Sequence, residues 1–398
     1  MRQIKSQCLP FERMTREPGH HFFGYYDPQP WSGDGCCHLC HRVGFMDRMQ
    51  AAADGAELGV IRASDYRFIP FASTHAWNFQ QGAMLQWNPR RPGEEVFYNA
   101  CFSGAFRAVA HHIATGGRRL LPRPLANVSQ DGARALSINF SRLLAFRPGY
   151  GYDGVPDPFA GVPAPDEDGV FLIDLATGAE KLILPLAAVA ESFARKFRCD
   201  PARTKLLVNH ITFNPSGDRF VFLVRNMPLP GEKSAGWATL FATADLSGSD
   251  VHVFDNFGGA SHYIWRDDEH LLIYADLPGP GKMALCLARD RTQTFEVLDP
   301  AFFAFDGHCS YSPDKRHILY DSYPDADGYR RLLLYDTRAN TGTLLADLLS
   351  VKRAFQPEED IRCDLHPRWN RDGTAISFDS VHEGSRHVYA MSLDGLVG

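Results

Sequence analysis

Four histidines recur at one position of a repeated pattern and are the side chains best suited to chemistry in this sequence. His210, His262, His308 and His366 each lie three residues before an aromatic residue that precedes a turn. Histidine makes up 16 of 398 residues, so four consecutive matches in one register do not arise by chance. Neutral imidazole serves both as a proton acceptor near neutral pH and as a metal ligand. The pattern therefore indicates proton transfer or metal binding where these positions meet.

The histidines belong to a unit that is repeated along the whole chain. The aromatic residue before the turn is Trp31, Trp87, Phe213, Trp265, Tyr311 or Trp369, and Val128 takes this place in a seventh copy. Each turn leads into a strand-like run and then a second strand pair, and Asp372-Gly373 is a typical two-residue hairpin turn. Seven such units predict an all-β fold, a seven-bladed β-propeller with four-stranded antiparallel blades.

We expect one propeller domain over residues 1–398. Because the chain ends within the seventh unit, the N-terminal segment around residues 21–26 is expected to supply a strand that closes the ring. An insertion at about 147–168, between the third and fourth units, is rich in Gly, Pro and Tyr. This composition predicts a surface loop over one rim. Residues 182–197 are expected to form one short helix.

The inner strands of a propeller line its central channel, so equivalent positions on adjacent blades converge there. Period-two alternation places Asp306 and Asp364 on the same face as His308 and His366. Imidazoles beside a carboxylate or thiolate suit zinc, or manganese if oxygen ligands predominate. Alternation turns Cys363 away from the channel, but strand entrances are often irregular. The third metal ligand is therefore either Asp364 or Cys363.

A scaffold role for the histidines, as hydrogen-bonding groups that hold each blade together, is the alternative. Such a role should recur in all blades. The first three blades carry Pro28, Met84 and Leu125 at the equivalent position. Histidines on one side of the ring favour a site.

This constellation resembles the seven-bladed propeller lyases that act on uronic-acid-containing polysaccharides, above all the oligogalacturonate lyases. The resemblance implies a divalent metal held by His308, His366 and Cys363, with His262, one blade earlier, as the base. It also implies β-elimination from a uronate-containing oligo- or polysaccharide. The sequence departs from that family where Arg368 follows His366-Pro367 in place of a second histidine, and where Cys363 replaces an amide. Both departures favour zinc over manganese.

The sequence resembles the ulvan lyases more loosely. That resemblance places His210 and Arg225, on the fourth unit, in catalytic roles, with Arg225 on the substrate carboxylate. Tyr152 is a further candidate for proton transfer. Arg142, Tyr150, Gln81 and Arg368 are candidates for substrate binding, through carboxylate pairing, ring stacking or contacts with sugar hydroxyls.

The composition narrows the classes of function. The net charge is −6 and no basic block is present, which argues against nucleic acid as a partner. No apolar run reaches membrane-spanning length, and the start lacks the apolar core of a signal peptide, so we expect a cytoplasmic protein without membrane association. The oligomeric state stays open. The alternatives to a lyase are a propeller glycoside hydrolase, with Asp306 and Asp364 as its carboxylate pair, and a non-catalytic propeller that binds glycans or proteins.

Overall fold

The computed structural model describes residues 5–6, 9–227, 237–350 and 361–397. These residues form seven β-sheets, the blades of a propeller, and two α-helices, which confirms the predicted fold class. Each blade contains four antiparallel strands, and the sixth also takes up Lys5–Ser6 as a parallel strand. Within the described residues, neither helix is long and apolar enough to cross a membrane.

The strands follow one another from the channel outward in every blade. Those of blades 1 to 3 are His20–Phe22, Cys37–Val43, Ala56–Arg62 and Arg67–Thr74; Gln86–Trp87, Glu95–Phe102, Ala105–His112 and Arg118–Leu120; and Asn127–Val128, Arg134–Ser137, Gly169–Asp174 and Glu180–Pro185. Those of blades 4 and 5 are Lys205–Phe213, Arg219–Met227, Thr239–Asp245 and His252–Val253; and Ala260–Trp265, His270–Ala275, Ala284–Arg289 and Phe295–Val297. Those of blades 6 and 7 are Cys309–Tyr311, His317–Asp321, Tyr329–Asp336 and Thr341–Leu349; and Arg368–Trp369, Ala375–Ser380, His387–Ser392 and Glu12–Arg13.

An N-terminal strand completes the seventh blade. Glu12–Arg13 pairs antiparallel with His387–Ser392 as its outermost strand. The expected location at residues 21–26 is therefore wrong, because His20–Phe22 pairs with Cys37–Val43 in the first blade. The two ends of the chain meet in one sheet, which ties the last blade to the first.

The repeated turns and their aromatic residues build the blades as the sequence predicts. Gly373 follows Asp372 in the turn of blade 7 and has φ 74°, the positive value that a two-residue hairpin turn requires. All seven residues at the aromatic position are buried: Trp31, Trp87, Val128, Phe213, Trp265, Tyr311 and Trp369. Because a sheet face must be covered to bury its apolar side chains, these residues pack between adjacent blades.

The insertion differs from the expected surface loop, and it lies within the third blade, between the strands Arg134–Ser137 and Gly169–Asp174, rather than between the third and fourth units. A helix, Phe140–Phe146, precedes it, and the N-cap Asn139 accepts a hydrogen bond from the backbone N–H of Arg142. Tyr150 and Tyr152 are fully buried in the loop that follows. The second helix, Leu186–Phe197, begins after the strand Glu180–Pro185, so the expected helix at 182–197 starts too early.

Candidate functional site

The four histidines of the repeated register converge at one end of the channel. Successive ring centroids are 6.4 Å apart for His210 and His262, 3.9 Å for His262 and His308, and 4.2 Å for His308 and His366. His210 lies at a bulge in its strand, and both His210 and His366 have positive φ, at 54° and 42°. Bulges and left-handed residues re-aim side chains at the cost of local strain, a combination common at functional sites.

His308 and His366 present two nitrogen lone pairs to the same point. His308 Nδ1 donates to the Asp321 carboxylate at 2.9 Å, and His366 Nδ1 donates to the Gly24 carbonyl oxygen at 2.7 Å. Both Nε2 atoms are therefore unprotonated in the neutral rings, yet they lie 3.1 Å apart. Two nitrogens bound to one cation at ~2.0–2.1 Å are separated by about 2.9 to 3.4 Å. The pair has the spacing and tautomers of metal ligands.

Hydrogen bonds behind the two imidazole rings fix this geometry. Asp321 also accepts hydrogen bonds from the backbone N–H groups of His308 and His366, at 2.7 and 3.0 Å. A carboxylate behind a metal-binding histidine sets its tautomer and raises its basicity. Gly24 has φ 126°, and a Cβ there would lie 2.8 Å from the carbonyl oxygen of Gln81. Only glycine brings its carbonyl to His366 without strain.

Asp364, and not Cys363 as the resemblance implies, lies beside these two histidines. One ligand atom each of His308, Asp364 and His366 lies within 4.8 Å of the other two. Cys363 Sγ instead lies 3.7 Å from the Asp364 carbonyl oxygen and packs among apolar residues of the neighbouring blades. Burial in these apolar surroundings raises the pKa of the Cys363 thiol to about 12. The preference for zinc rested on a thiolate ligand, so it loses its basis.

Two arginines hold Asp364 ionised. Arg330 and Arg362 lie 2.8 and 2.9 Å from its carboxylate oxygens. Burial opposes ionisation, but the two guanidinium groups outweigh it and keep the pKa of Asp364 below its ordinary value. Two imidazoles and a carboxylate fit a divalent cation, and this donor set selects neither zinc nor manganese.

His262 has the environment of a neutral base. Its Nδ1 lies 3.0 Å from Asp306 Oδ1, so Nδ1–H donates to the carboxylate and Nε2 keeps its lone pair. Burial and the adjacent His308 lower the pKa of His262 below 6.5, although Asp306 opposes the shift. The imidazole is therefore neutral and able to accept a proton near neutral pH.

A cavity of about 520 Å³ opens beside these histidines. His210, His262 and Tyr323 contribute to its wall, together with the guanidinium-bearing residues Arg147, Arg225, Arg330 and Arg362. Among the described lining residues, Asp306 is the only acidic one, and it is already bonded to His262. Asp364 pairs with Arg330 and Arg362 from behind the wall, but the four guanidinium groups still outnumber these two carboxylates, which favours an anionic ligand.

Arg225 is a buried cation without a carboxylate partner among the described residues. Its Nε donates to Thr239 Oγ1 at 3.2 Å and its Nη2 to the Ala260 carbonyl oxygen at 3.3 Å, whereas Nη1 is buried and makes no hydrogen bond. Burial, reinforced by the charge of Arg147, lowers its pKa to about 10. Holding an uncompensated guanidinium at this depth costs stability, which is understandable if an anion binds there.

His210 lies between this arginine and the pair His308 and His366. Its Nδ1 is 2.9 Å from the Tyr25 hydroxyl, and its ring stacks on that of Tyr25. Burial, and secondly the charge of Arg225, lowers its pKa well below the ordinary value. His210 is thus a neutral member of the cavity wall.

Three predicted site residues are buried outside this cavity. Tyr152 stacks on Phe140 at 4.3 Å and its hydroxyl accepts from Asn99, so it is a core residue without access to a substrate. Tyr150 is fully buried, and its hydroxyl accepts from Arg362 at 3.2 Å, so its ring cannot stack on a sugar. Arg142 donates to four backbone carbonyls of the insertion and of blade 4 and pairs with Asp157. It holds the insertion in place.

Arg368 and Gln81 also lack the predicted role in this cavity. Arg368 is buried, pairs with Asp379, and donates to the carbonyl oxygens of Gly24 and Tyr25. It positions the segment that bonds to His366. Gln81 lines a separate small cavity, together with Tyr25, Tyr26 and Asp27.

Sequence reasoning missed several residues of the site. Gly24 and Tyr25 reach it because residues 23–30 leave the first blade and contact blades on the other side of the channel, where the Tyr26 hydroxyl donates to the Tyr263 carbonyl oxygen at 2.6 Å. Arg330, Arg362 and Tyr323 come from blades 6 and 7 outside the repeated register. One feature of the sequence could have indicated this segment. Tyr25 and Tyr26 are adjacent aromatic residues that lie outside the blade strands.

These features define a seven-bladed propeller with a cationic, histidine-lined cavity at one end of its channel. No protein-family model matches the sequence, and no curated protein is detectably similar to it. Among solved structures, the chain is similar to an oligogalacturonate lyase from Vibrio parahaemolyticus, with 13% identity, a TM-score of 0.65 and 98% of each chain covered. It is also similar to an oligogalacturonate lyase in complex with manganese, with 14% identity, a TM-score of 0.66 and 99% of each chain covered. At these identities the likeness establishes the fold.

Proposed function

We propose that the protein is a lyase that cleaves a uronate-containing oligosaccharide by β-elimination. The observation that carries this proposal is the unpaired Arg225 guanidinium, buried in the wall of a cavity that also contains the neutral base His262. A uronate supplies both of their partners, a carboxylate and a hydrogen on the adjacent carbon. The structural likeness to oligogalacturonate lyases supports this choice of substrate class.

The chain's own groups divide the work of the reaction. Arg225 binds the uronate carboxylate through parallel hydrogen bonds and stabilises the negative charge that develops on it. His262 Nε2 accepts the proton from the carbon next to the carboxylate, and Asp306 stabilises the imidazolium that results.

A divalent metal fits the donor set of His308, His366 and Asp364. When bound, it would add positive charge close to the reacting carboxylate and stabilise the transition state. Asp321 and Gly24 would hold the two imidazoles in the ligand tautomer. The manganese bound by a structurally similar lyase supports a divalent ion without selecting its identity.

The two alternatives fit the site less well. A glycosidase needs one carboxyl group with a raised pKa as its acid. Asp306 is bonded to His262 and Asp364 to two arginines, and these partners lower both pKa values despite burial. A non-catalytic binder gives no reason for a neutral imidazole oriented by a carboxylate inside the binding cavity.

The test is incubation of purified, metal-supplemented protein with oligogalacturonates and with other uronate oligosaccharides. A lyase produces an unsaturated uronate, which absorbs in the ultraviolet. Substrate binding without any product would support the non-catalytic alternative, and new reducing ends without the absorbance would support hydrolysis.

A further inference from the structure

Tyr323 has an unusual position in the wall of the cavity. It follows the strand His317–Asp321 of blade 6, and its backbone N–H donates to the Asp306 carbonyl oxygen at 3.4 Å. This hydrogen bond links Tyr323 to Asp306, the residue that orients His262. Its ring centroid is 5.9 Å from that of His262. The phenol and the base therefore share one end of the cavity.

Two guanidinium groups surround the phenol. Arg362 Nη2 donates to the Tyr323 hydroxyl at 3.3 Å, and the guanidinium carbons of Arg362 and Arg330 are 5.4 and 5.7 Å from the ring centroid. The hydroxyl thus accepts a hydrogen bond from a cation, and within the described residues no acceptor takes its own proton. Such surroundings stabilise the phenolate that remains when the proton is given to a ligand.

β-Elimination from a glycoside needs an acid as well as a base, because a sugar alkoxide is a poor leaving group. Within the part of the chain that the structure describes, the other lining groups do not supply one, and His210 is a neutral imidazole. Asp306 is an ionised carboxylate, arginine does not lose its proton, and the aliphatic hydroxyls of Thr239 and Ser261 are far weaker acids than a phenol of ordinary pKa ~10. Burial raises the pKa of Tyr323 further, so it is protonated at neutral pH.

We propose that Tyr323 donates the proton to the leaving glycosidic oxygen. The proposal rests on the function proposed above. His262 takes the proton from the carbon next to the carboxylate, and the electron pair of that C–H bond forms the new carbon–carbon double bond. The bond to the glycosidic oxygen breaks, and that oxygen takes both its electrons and the Tyr323 proton. Arg362 stabilises the phenolate until the proton of the His262 imidazolium returns to it through solvent.

The test compares two leaving groups in the Tyr323→Phe variant. One substrate is a galacturonate disaccharide, and the other is a uronide that carries fluoride in place of the leaving sugar. Fluoride leaves without protonation, so loss of the acid should lower kcat by ~10²–10⁴ on the disaccharide and by less than about tenfold on the fluoride. His262→Ala should lower kcat on both substrates, since both need the base.

Tyr150→Phe is the matched control. Tyr150 also accepts a hydrogen bond from Arg362, at 3.2 Å, but its ring is fully buried and does not line the cavity. Any loss in this variant should be equal for the two leaving groups. Thermal denaturation establishes that both variants are folded. Tyr323→Phe activity that is unchanged, or lowered equally on both substrates, would overturn the proposal; a wild-type protein that eliminates from neither substrate would overturn the proposed function itself.

Discussion

Replacing Arg225 with methionine should make the protein more stable and much less active. The low pKa of Arg225, about 10 against 12.5, corresponds to about 3 kcal/mol of unfavourable free energy for holding the charge in the folded state, because each pKa unit is worth ~1.4 kcal/mol. The substitution also removes its hydrogen bonds to Thr239 and Ala260, each worth ~1 kcal/mol. The difference is a gain of about 1 kcal/mol in the free energy of unfolding.

The activity should change in the opposite direction. Truncating one partner of a buried charge pair costs ~2–5 kcal/mol, so kcat/KM should fall between roughly 30-fold and several thousand-fold. Arg225→Lys keeps the charge but loses the two parallel hydrogen bonds, so it should also lose most activity, with little change in stability. Urea denaturation and initial rates of unsaturated-uronate formation measure the two effects.

Arg219→Met is the matched control, because it removes a buried guanidinium from the same strand. Arg219 pairs with Asp290 and Asp250 at 2.7 Å, so its loss leaves a buried carboxylate unpaired and should destabilise the protein by ~3–5 kcal/mol. If Arg225→Met destabilises the protein as strongly as Arg219→Met and leaves kcat/KM unchanged, Arg225 is a scaffold residue and the reasoning is refuted.

Three further predictions concern the base, the metal and a buried carboxyl group. His262→Ala should lower kcat by ~10²–10⁴ with full metal content by elemental analysis; loss of metal would make His262 a ligand instead. His308→Ala and His366→Ala should abolish stoichiometric metal binding, whereas Cys363→Ser should retain it, and loss of metal in the serine variant would restore Cys363 as a ligand. Burial raises the pKa of Asp27 to about 7, so the folded state binds its proton more tightly and wild-type stability should fall as pH rises from about 4 to 7. Asp27→Asn should remove this loss. In urea denaturation, the stability of the variant relative to wild type should therefore be greater at pH 8 than at pH 4. An equal difference at the two pH values would contradict the raised pKa of Asp27.

The repeated pattern predicted the parts of the fold that depend on local sequence. Turn glycines such as Gly373, the buried aromatic residues and the histidine register are all local, and each blade repeats the same pattern of burial. The register was sufficient to bring His308 and His366 together because equivalent positions of adjacent blades meet at the channel.

The choice between Asp364 and Cys363 could not be made from the sequence, because strand alternation favoured Asp364 whereas the family resemblance implied Cys363. The inner strand of blade 7 begins only at Arg368, and His366 has positive φ, so alternation was not a sufficient guide over residues 363–367. In the structure, Asp364 lies beside the two histidines. The cationic wall was equally hidden, because Arg330 and Arg362 lie on different blades and meet only through the tertiary fold.

Product analysis in water labelled with heavy oxygen tests the central claim most directly. Elimination breaks the glycosidic bond without adding water, so both products should lack the label and their masses should sum to that of the substrate oligosaccharide. One product should also show the absorbance of an unsaturated uronate. Incorporation of heavy oxygen into the cleaved products, at the rate of cleavage, would identify a hydrolase and contradict the account.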